Sequence, residues 1–202
     1  MNQIEELIEK NTKGKLKDFK FSYTAETREE AIKVFEIACQ RLIEIHNWDK
    51  FAEKISAKFV LTNKSGFEVL REPKEGDFIR IDIPGPGTKA GDGYDWVQIE
   101  TILFSDPYEM EEKLFGFKVR PSSNPENSES GTAHFLSDQA TSSFIISLKG
   151  KTVYSEIHGR NESPNTGASH LIDKVRNLGV AAGAILGVAN IQWNLLAKGL
   201  LK

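Results

Sequence analysis

Residues 77–83 read DFIRIDI, and this alternation of isoleucine with charged side chains decides the fold class. Ile79, Ile81 and Ile83 recur at every second position, which is the period of a β-strand with one buried face. Residues 67–70 are a candidate for a short return strand. We predict a sheet of six or seven antiparallel strands with one apolar face and one charged face. The same period indicates the other strands, at residues 15–24, 56–62, 95–104, 114–120, 134–148 and 152–160.

The predicted charged face mixes both signs. We interpret it as a solvated outer face with cross-strand ion pairs. By alternation it carries Arg80, Asp82, Glu100, Lys118, Arg120, Glu156 and Arg160. Basic residues also flank the first strand, and we interpret them as a solvated sheet edge that discourages pairing with other chains. They are Lys13, Lys15, Lys17 and Lys20.

Helical periodicity appears in three main places. Residues 2–10 predict a short amphipathic helix. Thr27, with Glu30 three residues later, has the capping-box pattern that begins a longer helix, which we expect to end near His46. The last and longest helical segment runs from about residue 168 to 196.

This last segment contains Gly179, Gly183 and Gly187, one glycine at every fourth position. Each glycine in a helix interior costs about 1 kcal/mol relative to alanine, so some other gain must offset the loss. Three explanations stay open: tight packing of the helix against the sheet, room for a ligand beneath it, or a helix–helix contact in a homodimer.

The order of these elements resembles the START-like helix-grip superfamily, which includes polyketide cyclases, the Bet v 1 group and lipid-transfer domains. A strand leads into a helix, a helical linker with Trp48 follows, and antiparallel strands and a long helix close the chain, over residues 16–190. The resemblance implies an α+β fold: a curved antiparallel sheet that grips the C-terminal helix, with a cavity between them that often accepts an apolar ligand. We expect a single domain over residues 15–202, preceded by a helical extension at residues 1–14.

Composition excludes several functional classes. The chain has 202 residues, with 26 basic and 29 acidic side chains and a net charge of −3, which argues against a nucleic-acid binder. Its one cysteine, Cys39, excludes an internal disulfide and suits a reducing compartment. The apolar stretch 178–189 is about half the length of a membrane span, and the N-terminus lacks a secretory signal. We therefore expect a cytoplasmic protein without a membrane span.

Candidate catalytic and metal-binding patterns are weak. The four histidines are His46, His134, His158 and His170, and no two of them have the i, i+4 spacing of a helical metal site. His134 and Asp138 share a face by parity, but a regular strand separates them by about 13 Å. The glycines of loop 85–93 do not precede the Lys-Ser/Thr and helix of a phosphate-binding loop. We predict no catalytic residue, no metal and no cofactor.

The favoured function is therefore non-catalytic binding of an apolar or amphipathic small molecule between the sheet and the C-terminal helix. Thr101 and Ser155 would orient the ligand within an apolar wall. The expected lining residues are Phe59, Ile81, Trp96, Ile99, Thr101, Phe117, Ser155, Gly183 and Gly187. The alternatives are a cyclase- or hydrolase-like enzyme that uses the same cavity, and a scaffold without ligand whose loops 84–93 and 121–131 contact a protein partner.

Overall fold

The computed structural model describes most of the chain. For residues 181–189, at the start of the last helix, it describes the backbone alone. The described ranges are residues 4–52, 57–83, 88–105, 112–127, 131–165 and 181–202.

A curved sheet of seven strands forms the body of the described protein, and every neighbouring pair of strands is antiparallel. From β2 to β7 each strand pairs with the next, and β1 pairs with β7 at the far edge, in the order β1-β7-β6-β5-β4-β3-β2. The strands are β1 (Lys15–Thr24), β2 (Lys58–Thr62), β3 (Phe78–Asp82), β4 (Asp95–Ser105), β5 (Glu112–Pro121), β6 (Thr141–Lys149) and β7 (Thr152–Glu162).

The described helices lie on both faces of this sheet. They are α1 (Ile4–Leu7), α2 (Arg28–Ile43), α3 (Trp48–Phe51) and α4 (Ala181–Gly199). The inner face of the sheet carries the main apolar core, and α2, α3 and α4 pack against it. The outer face carries the charged residues and α1. This arrangement confirms the predicted helix-grip α+β fold.

Local sequence explains where α2 begins. The Thr27 hydroxyl accepts a hydrogen bond from the Glu30 backbone N–H at 3.1 Å, which confirms the predicted cap. The Glu30 carboxylate reaches back to the Glu26 N–H at 3.0 Å, one residue further than in the standard capping box. Ala31, Phe35, Ala38 and Leu42 then bury one side of the helix against the sheet.

Trp48 anchors the inner core. Its ring centroid lies 4.9 Å from that of Phe144, 5.2 Å from that of Phe59 and 6.1 Å from that of Phe117. Its indole N–H donates to the Leu42 carbonyl at 3.1 Å, so the polar atom of this buried ring is satisfied. The linker tryptophan therefore joins α3 to the centre of the sheet.

The C-terminal end of α4 packs closely against α2 and α3. A Cβ at Gly199 would overlap the Phe51 carbonyl oxygen, so only glycine permits this close approach. The Arg41 guanidinium donates to the carbonyls of Gly199 and Leu200 at 3.3 and 3.4 Å. The predicted start of this helix, including Gly179, lies outside the described residues, and the explanations for the glycine spacing stay open.

The N-terminal segment crosses the outer face. Leu7 packs against Leu114 and Ile145, and the Ser143 hydroxyl donates to the Leu7 carbonyl at 2.6 Å. This contact covers part of the face that we predicted to be solvated. It forms because β5 and β6 have apolar residues on both sides of the sheet.

Asn161 holds the end of this N-terminal segment. It has a positive φ of +55°, a conformation that asparagine tolerates better than most residues. Its side-chain oxygen accepts hydrogen bonds from the backbone N–H groups of Thr12 and Lys13 at 2.7 and 3.1 Å. Its amide N–H donates to the Lys10 carbonyl at 3.1 Å, and its own backbone N–H donates to the Asn11 side chain at 2.7 Å.

Two predicted strands are shorter in the structure. The return strand expected at residues 67–70 reduces to a single bridge between Thr62 and Glu68. The strand expected from residue 134 begins only at Thr141, because residues 136–137 instead pair with the chain that follows β7. Asp138 lies in a turn within this irregular stretch.

Candidate functional site

A cavity of about 50 Å³ lies between the inner face of the sheet and α4. Apolar side chains from α3 and from strands β2 to β6 form most of its wall. Trp193 of α4 closes the cavity on the helix side, with ring centroids 6.0 Å from Phe59 and 5.4 Å from Phe144. The apolar wall residues are Trp48, Phe59, Ile79, Ile81, Ile83, Val97, Val119, Phe135, Leu136, Phe144 and Trp193.

The other part of the wall is polar. It contains Lys17, His134, Ser142, Glu162 and Gln192. The cavity therefore resembles small-molecule sites in general, in which an apolar wall surrounds a few polar groups that orient the ligand.

Lys17 and Glu162 form an ion pair in this wall. The Lys17 ammonium lies 2.8 Å from the Glu162 carboxylate, and the two side chains are only 14% and 6% exposed. The pair is charge-neutral overall, and it is buried where most of its surroundings are apolar. Lys17 therefore does not belong to a solvated edge, and this corrects our interpretation of the basic residues around β1.

A β-bulge brings Glu162 to the inner face. The β1–β7 register pairs Lys17 with Gly159 but Lys15 with Glu162, so β7 contains one extra residue there. Asn161, with its positive φ, lies inside this bulge, and the bulge reverses the alternation of the strand. Gly159 makes room for the displaced side chain, since a Cβ at Gly159 would overlap the Glu162 carboxylate. Gly159 and Asn161, near the end of β7, are the sequence signal for this bulge, and the sequence analysis did not use it.

His134 is a neutral imidazole in the cavity wall. It is 5% exposed, and burial lowers its pKa to about 3. The Leu136 backbone N–H donates to Nδ1 at 2.9 Å, so Nδ1 carries the lone pair and the ring proton resides on Nε2.

Asp95 is buried at the start of β4. Its carboxylate accepts a hydrogen bond from the Phe135 backbone N–H, and burial raises its pKa to about 7. Burial thus disfavours the charged forms of both groups, since it raises the pKa of an acid and lowers that of a base.

This geometry has limited catalytic capacity. A histidine with a pKa of about 3 is a weak general base at neutral pH, because the effective range lies near the working pH. No hydrogen bond or ion pair joins His134 to Asp138 within the described ranges; the Asp138 carboxylate accepts from the Gln139 amide at 3.3 Å. In the same ranges, no group of three or more His, Cys, Asp and Glu residues could hold a metal ion.

The structure divides the predicted lining residues into groups. Phe59 and Ile81 line the cavity. Ile99 and Phe117 are fully buried on the inner face but fill the core beside it. Ser155 is also fully buried, opposite Phe21 and Ile146.

Two predicted lining residues, Trp96 and Thr101, lie on the outer side of the sheet. Trp96 faces the outer side, where it packs on Phe78, because it alternates with the inward Val97. Thr101 is turned outward by a second bulge, between Ile99 and Thr101, and pairs with Lys118. Gly183 and Gly187 lie in the part of α4 whose backbone alone is described, so their relation to the cavity stays a prediction.

A second, more open groove of about 410 Å³ lies between α2 and the ends of β4 and β5. Phe35, Phe104 and Phe115 contribute apolar walls, and the carboxylates of Glu36 and Glu72 line it. Although the cavity under α4 is smaller, it is the stronger candidate, because it encloses buried polar groups.

Across the described residues, no helix is long and apolar enough to cross a membrane.

No model of a known family matches the sequence, and no curated protein matches it. Among solved structures, the chain is similar to Ara h 8.0201, at 14% identity and a TM-score of 0.33, covering 90% of this chain and 99% of that one. Protein Ms6760 from Mycobacterium smegmatis gives 16% identity and a TM-score of 0.33, covering 89% and 92%. Norcoclaurine synthase from Thalictrum flavum, in complex with dopamine and hydroxybenzaldehyde, gives 8% identity and a TM-score of 0.35, covering 88% and 84%.

Proposed function

We propose that the protein binds a small, mainly apolar molecule in the cavity under α4 and does not alter it chemically. The observation that carries this proposal is the enclosure of polar groups within an apolar wall. A buried ion pair such as Lys17–Glu162 gives little net stability, and apolar residues of similar volume are often at least as stable. Stability therefore does not explain why these polar residues are buried here, whereas binding of a ligand with a polar group does.

The volume of the cavity limits the ligand. About 50 Å³ accommodates a few water molecules, at roughly 10–15 Å³ each, or a very small solute. Typical small-molecule sites start near roughly 300 Å³. A larger ligand therefore needs Trp193 to move, since this half-buried ring closes the cavity from the helix side.

Native mass spectrometry after gentle extraction tests this function. We expect a bound small molecule in the wild-type protein and its loss in Ile81→Phe, which fills the cavity. Ile37→Phe is the matched control, because Ile37 is exposed on α2 and its substitution leaves the cavity unchanged. Equal occupancy in Ile81→Phe and the control, or a bare polypeptide mass in repeated wild-type preparations, contradicts the proposal.

A second candidate function is a protein-interaction scaffold without ligand. The observation that favours it is the exposure of two apolar side chains after β2, Phe67 at 66% and Leu70 at 87%. In that case Phe67→Ser with Leu70→Ser would abolish capture of a protein partner in a pull-down, whereas Ile81→Phe would not. The opposite result assigns the function to the cavity.

A further inference from the structure

Beyond the cavity under α4, we propose that the open groove between α2 and the ends of β4 and β5 binds a second small molecule, an amine with an apolar body. The two sites are separate, since the described linings of the groove and of the cavity share no residue. The inference follows from the size of the groove, from its exposed aromatic wall and from the charges of its lining.

The groove has the dimensions of a small-molecule site. Its volume of about 410 Å³ lies within the range of roughly 300–1,000 Å³ that is typical of such sites. The cavity under α4 has only about 50 Å³. The groove therefore has room for a phenyl ring with a short alkyl chain, and its size fits a small molecule better than a protein segment.

One wall of the groove is aromatic and accessible. Phe104 of β4 and Phe115 of β5 are opposite each other in the sheet, with ring centroids 6.5 Å apart. The Phe104 side chain is 63% exposed. Phe35 and Ile43 line the groove from the side of α2. A ligand that covers the Phe104 ring removes apolar surface from water, which favours binding.

The charges of the lining favour a cation. The described lining contains two carboxylates, those of Glu36 and Glu72, and one ammonium, that of Lys113. Lys113 already takes part in another interaction, whereas neither carboxylate forms an ion pair with a described residue. A ligand ammonium can therefore pair with carboxylates from two different segments of the chain, while a ligand carboxylate would meet like charges.

Cys39 shows that the charge of Glu36 acts within the groove. The thiol lines the groove, and burial together with the Glu36 carboxylate raises its pKa to about 12. The same negative charge disfavours an anionic ligand and favours a cationic one. The aromatic wall adds to this preference, because a cation over the face of a ring is attracted to it.

Three probes of similar shape separate the charge of the ligand from its apolar body: 4-phenylbutylamine, 4-phenylbutanol and 4-phenylbutyrate. Dissociation constants are measured by NMR titration of the full chain at neutral pH and low salt. We expect the amine to bind about 3- to 10-fold more tightly than the alcohol, since one exposed ion pair typically contributes up to about 5-fold. The butyrate should bind most weakly, and about 1 M salt should remove most of the preference for the amine.

Glu36→Gln with Glu72→Gln removes both negative charges and keeps the shape of the lining. We expect the affinity for the amine to fall to that for the alcohol, which stays unchanged. Glu5→Gln is the matched control, since Glu5 is exposed on α1 at the outer face and its loss should preserve the preference. Phe104→Ala should weaken the binding of all three probes, because it removes an exposed part of the aromatic wall.

The outcomes distinguish this site from the cavity under α4. Binding of the amine that shifts the backbone signals of Cys39 and Phe104, and that persists in Ile81→Phe, supports the groove. Equal binding of the amine and the alcohol, or tighter binding of the butyrate, overturns the cationic class of ligand. No binding of any probe, or binding that disappears in Ile81→Phe, overturns the groove as a ligand site and leaves the proposed function of the cavity standing.

Discussion

Lys17 and Glu162 meet inside the protein, 2.8 Å apart, although 145 positions separate them in the chain. Lys17 lies in the first strand and Glu162 ends the last one, and these strands are neighbours in the sheet. The candidate site therefore depends on the pairing of the first and last strands, the most distant strand pairing in the described sheet. A ligand that orders this wall would also stabilise the contact between the two ends of the fold.

Removing one member of this pair should destabilise the protein more than removing both. Lys17→Met leaves the Glu162 carboxylate buried without its partner, at an expected cost of about 3 kcal/mol. The double substitution Lys17→Met with Glu162→Leu should recover most of that loss. Urea unfolding measures both. Lys149→Met is the control, because it breaks an exposed pair with Glu112 and should cost under about 1 kcal/mol.

Asp95 should make the protein less stable as the pH rises towards 7. Burial raises its pKa from 3.8 to about 7, so the folded state holds the proton that the unfolded state releases. Stability from this group is complete below pH 4 and falls between about pH 4 and pH 7. Asp95→Asn should remove this decline, a difference of up to about 4 kcal/mol between the two pH values. A constant difference across that range would contradict the assignment.

Glu156 should give the opposite pH dependence. Hydrogen bonds from His158 and Lys20 lower its pKa from 4.5 to about 2, so the unfolded state binds its proton first. The stabilisation is present above about pH 4.5 and is lost as the pH falls towards 2. Glu156→Gln should therefore lose about 2–3 kcal/mol at pH 6 and nothing at pH 2. Thermal melts at both pH values, with the exposed Glu112→Gln as control, check this.

Gly199→Ala should destabilise the protein although alanine favours helices. The new methyl group would overlap the Phe51 carbonyl, and such overpacking typically costs about 1–3 kcal/mol. Asn194→Ala, at an exposed position of the same helix, is the control and should be neutral or stabilising. A higher melting temperature for Gly199→Ala would show that α4 and α3 do not approach as closely as the structure has them.

Residue periodicity predicted the sheet well because its inner strands alternate over many residues. Ile79 and Ile81 of β3 lie on the inner face as expected, and the Thr27 cap begins α2. These features are local, so propensity and spacing suffice to find them. The order of elements then predicted which face grips the C-terminal helix.

The polar end of the cavity could not be predicted in the same way. Two bulges each insert one residue, which exchanges the faces that follow, so Thr101 turns outward and Glu162 turns inward. The partner of Lys17 comes from the opposite end of the chain, where no local pattern records it. His134 drew attention through Asp138, whereas its contacts are the Leu136 N–H and the cavity.

Asn161 has a consequence for how the chain can be shortened. Its side chain ties down residues 10–13 on one surface, while its left-handed backbone turns the next residue, Glu162, towards the opposite surface. A chain trimmed to begin at Lys15 would lose all the tethers to that asparagine. The strand end would then be free to straighten, and Glu162 would leave the wall of the cavity although no residue of the cavity had been replaced.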